Sequence, residues 1–451
     1  MYKNLFIGII TFCLLNFAGD ANANQISSAI SKAGINKSAV SVSVKDISTG
    51  KKIYSHNAQR QLPPASTLKL VTYSASKDAL GEDFEYKTTL YKSINNDLYI
   101  KLNGDPMLKT ADLKQIFKTA YDKKITEPKN IYIDDTIFDA VEWGEGWQWD
   151  DSLNPLMPKF SAYNLDGNLV NIILSPTNQG SPIEIISEVF YPLAFMNLVT
   201  TSDTDKFVMT KGNYISPEMI NIEGQISKRK VVQVPVSSPS RYFKLRVEDV
   251  LRDRHIDYYK PILSKILPDK NIYKVDEIVH GLDTFADKIL KESSNFYAET
   301  MFKSAGAKFA NSKGSLNNSL LMLNNYFDKL GIKSDEIKIV DGSGVSKNNL
   351  ISAEFMTDFL AARANQKDFE EFKKSLPIPG EGTLEHRMLY FNDKLSAKTG
   401  TLSDISAIAG YITTQKGKVY AFDIMINDAK STSAEKKIAE EYILRAIYSG
   451  Y

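Results

Sequence analysis

Ser66 stands three residues before Lys69 in the stretch "PPASTLKLV". Residues three apart share a helical face, so the hydroxyl and the amine can meet. A lysine flanked by Leu68, Leu70 and Val71 loses proton affinity, because burial disfavours the ammonium. A neutral amine can then take the proton from a hydroxyl that attacks a carbonyl, which is the chemistry of acyl transfer through a serine ester. The same spacing recurs at Ser48, Ser74, Ser227 and Ser433, and helical lysines ordinarily carry their charge out to water. Spacing alone therefore does not select the pair. Two further polar groups follow: Ser293-Ser294-Asn295 in "KESSNFYAE" and Lys398-Thr399-Gly400-Thr401 in "AKTGTL". A serine two before an asparagine also occurs at Ser93, Ser152, Ser315 and Ser346, whereas Lys-Thr-Gly occurs once.

These groups need elements to hold them. Pro63 and Pro64 cannot lie inside a helix, and Leu68, Val71, Ala75 and Ala79 fall on one face, so the sequence predicts a helix beginning near Ser66. Two alternating segments around the Ser48-Thr49-Gly50 turn predict a β-hairpin, and "ISAIAGYITTQKGKVYAFDIMIND" predicts a second one, turning at Gln415-Lys416-Gly417. A helix from about Ala434 to Ile447 follows. Hairpins near both ends belong most simply to one sheet, since the termini of a compact domain lie close together. The middle is then an insertion, and its short β-branched runs, such as "NIYIDDTIF" and "NLVNIILSP", read as mainly β. From about Asp283 the pattern is helical again. The expected organisation is 24–88 and 281–451 as two pieces of one domain, enclosing a β-rich region at 89–280 that is divisible into two lobes, the inner about 108–200.

Composition narrows the partners. With 55 Lys+Arg against 54 Asp+Glu there is no single-sign field, which argues against nucleic acid. The opening "MYKNLFIGIITFCLLNFAGDANANQ" has one early lysine, an apolar run shorter than the roughly 20 residues that span a bilayer, and Ala21-Asn22-Ala23. It reads as a secretory signal over residues 1–23. The lone cysteine, Cys13, would leave with it, so neither a disulfide nor a thiol nucleophile is expected. None of the histidines, His56, His255, His280 and His386, has zinc-site spacing, so no metal or cofactor is expected. "DGSGVS" has Asp341 where a nucleophile elbow at Ser343 needs glycine, and reads as a tight turn near the site.

S-x-x-K, S-x-N and K-T-G in this order are elements of serine β-lactamases and penicillin-binding proteins. Across nearly the whole chain the sequence resembles the D-alanyl-D-alanine carboxypeptidase/endopeptidase family, the class C low-molecular-mass penicillin-binding proteins. The resemblance rests on "STLKLVTYSASKDALGEDFEYKTTL", "NGDP", "YIDDTIFD", "GEGWQWDD", "NLDGN", "KESSNFYAE", "DGSGVSKNNLIS", "LPIPGEGTLEHR" and "AKTGTL". It departs from many members at Ser294 and Thr401, where polarity is nevertheless kept. The resemblance implies an α+β fold: a transpeptidase/β-lactamase-like domain with about five antiparallel strands between helices, and a large inserted β-rich region.

The same resemblance implies roles. Ser66 would be the nucleophile, Lys69 its base, Ser293 the proton relay to the leaving amine, and Asn295 the group orienting the lysine and the substrate amide. Lys398 would supply the field that keeps Lys69 neutral, and with Thr399, Gly400 and Thr401 would hold the terminal carboxylate. The backbone N–H groups of Ser66 and Thr401 would form the oxyanion hole. Asp134 and Arg387 match positions that hold the far end of a diaminopimelate side chain; the competing reading is a turn aspartate and a surface arginine. The expected substrates are periplasmic peptidoglycan stem peptides ending in D-Ala-D-Ala, with β-lactams as inhibitors and no stable membrane anchor. A serine β-lactamase is the rival enzyme, but no E-x-x-L-N segment follows the S-x-N element. A catalytically silent wall-binding protein is the rival from another class.

Overall fold

The computed structural model describes residues 25–212 and 218–450. The secretory signal expected over 1–23, with Cys13, lies outside the described residues. The chain divides into two compact units, one of Met1–Ala75, Thr284–Ser294 and Leu323–Tyr451, the other of Ser76–Asp283 and Asn295–Met322.

The first unit is built on a five-stranded antiparallel sheet, as the resemblance implied. Its strands are β1 (Val40–Asp46), β2 (Lys52–His56), β3 (Leu395–Thr401), β4 (Ile405–Thr413) and β5 (Val419–Asn427), in the order β3-β4-β5-β1-β2. The two hairpins meet in the middle, where β1 pairs with β5 from Val40↔Ile426 to Asp46↔Tyr420. The alternation in β1 shows how its sequence selects faces. Val40, Val42 and Val44 turn into a core with Phe422, Ile424 and Ile426 and with Ile443, Leu444 and Ile447 of the terminal helix Ser433–Gly450. Each such valine contributes roughly 1.5–3 kcal/mol by leaving water. Ser41 and Ser43 turn to the opposite face and are buried too, because a second helix, Ala353–Arg363, packs there. Ser43 accordingly shares a 2.7 Å hydrogen bond with Thr357 of that helix, and the Tyr411 hydroxyl donates to the Leu360 carbonyl. Ser352 caps the helix by accepting from the Phe355 N–H.

The second unit holds a five-stranded mixed sheet of Tyr86–Ser93, Leu98–Lys101, Ile131–Asp134, Leu263–Ser264 and Ile272–His280, and two three-stranded sheets drawn from Leu169–Pro235. Helices Thr110–Asp122 and Pro239–Asp253 supply Leu113, Ile116, Phe117, Phe243 and Val247 to a core shared with these sheets. His280 meets the buried Asp105 at 2.5 Å, a structural pairing within this unit. Trp147 of the "WQW" tripeptide is core, packed on Trp143 and Phe160, while Trp149 is exposed. Among the described residues, no helix is long and apolar enough to cross a membrane.

Candidate active site

Ser66 lies in a single turn of 3-10 helix, Ala65–Leu68, that runs directly into the α-helix Lys69–Leu80. The expected helix start is thus a tighter turn, and it brings the serine and the lysine together. Ala65, which enters the turn, is fully buried at φ +49°, a left-handed conformation costing about 1–2 kcal/mol for a residue with a Cβ. Packing on all sides holds it there. Lys69 is entirely buried, yet its amine does not lack polar company. It donates to the Ser66 hydroxyl at 2.9 Å and to the Ser343 carbonyl at 2.7 Å.

That second contact comes from the "DGSGVS" turn, far along the chain. Asp341 organises it: one carboxylate oxygen accepts from the Gly344 N–H and the Asn349 amide, both at 2.8 Å, and the other from the Ser346 N–H at 2.7 Å. Thr72, on the next turn of the lysine's helix, donates to the Gly342 carbonyl at 2.6 Å. Gly344 sits at φ +80°, and a Cβ there would lie 2.0 Å from the Ala65 carbonyl oxygen. The loop therefore presses on the serine turn from one side while presenting a carbonyl to Lys69 from the other. Asp341, Ser343 and Gly344 were not singled out as site residues in the sequence, although their turn was expected near the site.

Lys398 lies on β3, fully buried. Its amine donates to the Ser293 hydroxyl and to the Thr399 carbonyl, each at 2.8 Å. Ser293 has φ +61°, at the end of the segment Thr284–Ser294 that belongs to this unit. Burial first, then the charge of Lys69, push the Lys398 amine well below the ordinary lysine range. The neighbouring lysine charge adds to the cost of holding a proton on the Lys398 amine. Two residues on, Gly400 comes so close to the serine turn that a Cβ would lie 2.8 Å from the Ser66 nitrogen. Only glycine lets this strand approach the Ser66 N–H. Thr399 is buried and Thr401 is exposed.

The remaining expected residues have partners of their own. Asn295 opens the helix Asn295–Ala310 in the second unit and donates to the Leu156 carbonyl at 2.9 Å. Asp134 is buried; it accepts from the N–H and hydroxyl of Thr136 and from the Leu267 N–H. Its neighbour Asp135 lines an open cavity of about 340 Å³ with Asp139, Glu142, Lys244 and Lys313, one oxygen taking the Tyr163 hydroxyl at 2.8 Å. Arg387 donates to the fully buried Glu440 at 2.6 Å, and Glu440 also accepts from the Ser406 hydroxyl at 2.6 Å. Burial pushes the Glu440 carboxyl up, and Arg387 pulls against it.

Known proteins resemble this chain over most of its length. Residues 22–446 match the model of the D-Ala-D-Ala carboxypeptidase 3 (S13) family. A D-alanyl-D-alanine carboxypeptidase of an Actinomadura species is 26% identical over 445 residues, covering 91% of this chain and 81% of that protein. The D-alanyl-D-alanine carboxypeptidase DacB of Haemophilus influenzae is 23% identical, covering 96% and 93%. The crystal structure of penicillin binding protein 4 (dacB) from Haemophilus influenzae superposes with a TM-score of 0.83 at 23% identity, over 91% of this chain and 96% of that one, which fixes the fold.

Proposed function

Since the chain belongs to the D-Ala-D-Ala carboxypeptidase 3 (S13) family, we propose that it cleaves the terminal D-alanyl-D-alanine bond of peptidoglycan stem peptides through an ester on Ser66. The observation that carries this reading is the buried Lys69 amine, 2.9 Å from the Ser66 hydroxyl and 2.7 Å from the Ser343 carbonyl. An amine at that distance can act as the base for the hydroxyl.

In this reading Lys69 takes the Ser66 proton as Oγ attacks the carbonyl of the penultimate D-alanine. The oxyanion forms against the Ser66 N–H and the backbone beside Gly400; each such donor is worth about 2.7–4 kcal/mol in related chemistry. Ser293, held by Lys398, passes a proton to the departing amine, the C–N bond breaks, and D-alanine leaves. Water then attacks the ester with Lys69 again as base. Lys398, Thr399 and Thr401 hold the terminal carboxylate. Cutting a D-alanyl cross-link is the same reaction with a larger leaving amine, so endopeptidase activity accompanies the carboxypeptidase activity. β-Lactams acylate the same serine. The saturation of Asp134 by its own turn favours a structural role for that residue. The Arg387–Glu440 pair likewise favours a structural role for the arginine. The amino-terminal pattern supports export to the periplasm.

Incubation with purified monomeric and cross-linked muropeptides, followed by mass spectrometry, tests the reading. It predicts loss of one D-alanine from pentapeptides and slow, stoichiometric trapping by penicillin. Unchanged muropeptides would favour the silent wall-binding protein, and rapid nitrocefin turnover a β-lactamase.

A further inference from the structure

Ser293 is held in a conformation that its residue type does not favour. It follows a turn of π-helix, Asp287–Lys291, in which the Glu292 N–H reaches back to the Asp287 carbonyl at 2.8 Å, a form frequent at functional sites. Its φ is +61°, in the left-handed region that a residue with a Cβ keeps only when its surroundings impose it. One restraint is the Lys398 amine, which donates to its hydroxyl at 2.8 Å. That bond fixes where the hydroxyl points and leaves the backbone to be held from elsewhere. The second restraint comes from the segment "LPIPGEGTL", residues 376–384.

The composition of this loop makes it rigid. Pro377 and Pro379 fix their own φ, while Gly380 and Gly382 take φ values of +92° and +54°, which glycine adopts without strain. Leu384 roots the loop in the first unit's core with Leu395 and Ala397. The Ala397 N–H donates to the Pro377 carbonyl at 2.9 Å, one residue before Lys398 on β3. The other end of the loop meets the Ser293 segment. A Cβ on Gly382 would stand 2.7 Å from the Lys291 carbonyl oxygen and 3.2 Å from its carbonyl carbon. Beside it, Glu381 accepts from the Lys291 amine at 2.8 Å. Lys291 also reaches Asp287 of its own turn at 3.2 Å, but Glu381 exerts the larger pull and holds the amine above the ordinary lysine range. The loop thus grips the chain within two residues of each partner in the Ser293–Lys398 hydrogen bond.

We infer that loop 376–384 positions the proton relay: Glu381 and Gly382 are positioning residues that set the Ser293 hydroxyl against Lys398, and they govern departure of the leaving amine rather than attack by Ser66. The inference rests on Ser293 relaying the proton. In acylation the bond from Ser66 Oγ to the carbonyl carbon forms as Lys69 takes the hydroxyl proton. The carbon–nitrogen bond then breaks as Ser293 gives its own proton to the nitrogen. The proton that Lys69 took restores Ser293, so the net transfer is from Ser66 to the departing amine. An amine leaves only with its nitrogen protonated, whereas a sulfur leaving group departs as the thiolate, since an ordinary thiol titrates at about pH 8.5. Misplacing the relay therefore penalises amide substrates and spares thioesters.

The test compares kcat/KM of the full chain on an N-acyl-D-alanyl-D-alanine peptide and on the thioester in which thioglycolate replaces the terminal D-alanine. This parameter reports events through acylation, and any loss of folded protein scales both substrates alike. Their ratio therefore isolates protonation of the leaving group. Gly382→Ala drives a Cβ into the Lys291 backbone and should lower the amide value on the order of 100-fold, leaving the thioester value nearly unchanged. Glu381→Ala should shift the ratio the same way by about tenfold, and Glu381→Gln, which keeps an oxygen for the Lys291 amine, should recover most of it. An unmoved ratio in Gly382→Ala, or in Glu381→Ala should Gly382→Ala fail to fold, would overturn the inference. Ser293→Ala separates this inference from the reading beneath it, because it should reproduce the selective loss on the amide. Equal loss on both substrates in Ser293→Ala would sink the relay itself. Selective loss there, with the ratio unmoved in the loop variants, sinks the role of the loop alone.

Discussion

Gly344→Ala perturbs the site without touching a reacting group. The added Cβ would lie 2.0 Å from the Ala65 carbonyl oxygen, 2.7 Å from its carbonyl carbon and 3.1 Å from the Leu68 Cβ, where ordinary contact begins near 3.4 Å. Two of these atoms are backbone, so relief requires the serine turn and the Asp341–Ser346 loop to separate by about 1.4 Å along the tightest contact, a displacement no rotamer change can absorb. That loop carries the carbonyl holding Lys69 and that turn carries Ser66, so the separation opens the nucleophile–base geometry. A misplacement of about 1 Å costs on the order of 100-fold in rate. The left-handed φ adds about 1–2 kcal/mol, and the total stability loss should be about 2–4 kcal/mol. The assay is the second-order rate of acylation by a fluorescent penicillin, with thermal unfolding alongside. Gly331→Ala is the control: it has a similar φ, +68°, with nothing within 4 Å of the new Cβ, and should cost about 1 kcal/mol without slowing acylation. Acylation of a folded Gly344→Ala within twofold of wild type would refute the claim that this loop positions Lys69.

Gly400→Ala should slow acylation by at least 100-fold and also cost stability, because its Cβ would crowd the backbone at the Ser66 nitrogen, 2.8 Å, and the Pro64 carbonyl oxygen, 3.0 Å, and displace an oxyanion donor; stopped-flow acylation and thermal unfolding measure it. Arg387→Ala leaves Glu440 buried and uncompensated and should cost about 3–5 kcal/mol in denaturant unfolding, with Glu440→Gln in the same chain restoring part of it. Asp423→Asn should flatten the pH dependence of stability. The folded carboxyl is pushed up from its ordinary value, so the native state holds a proton the unfolded chain releases, and wild type loses stability as pH rises above the ordinary aspartate range. Unfolding temperatures across pH should show this slope in wild type and its reduction in the variant.

The five-stranded sheet was legible because its evidence is local. The alternation of "VSVSV" and the two hairpin turns specify strands, and closeness of the termini specifies that they pair. Ser66 and Lys69 were legible through three-residue spacing, even though the serine sits in a 3-10 turn and the α-helix starts at the lysine. What holds Lys69 was not legible, because its partner at Ser343 is a backbone carbonyl and a carbonyl has no residue type. Asp423 was also hidden. An aspartate within "VYAFDIMIN" suggests a solvent-facing position, and only the helix Ala353–Arg363 covering that face makes it buried. Asp134 and Arg387 were picked by residue type, and their partners, the turn at Thr136 and the carboxyl of Glu440, are contacts no short motif reveals.

The central claim is that a buried amine activates one particular hydroxyl. Peptide mapping by mass spectrometry after brief exposure of wild type, Ser66→Ala and Lys69→Met to penicillin tests it most directly. The expected result is a single penicilloyl adduct on the peptide containing Ser66 in wild type, and none in either variant on the same timescale. An adduct on another serine, or undiminished labelling of Lys69→Met, would contradict it.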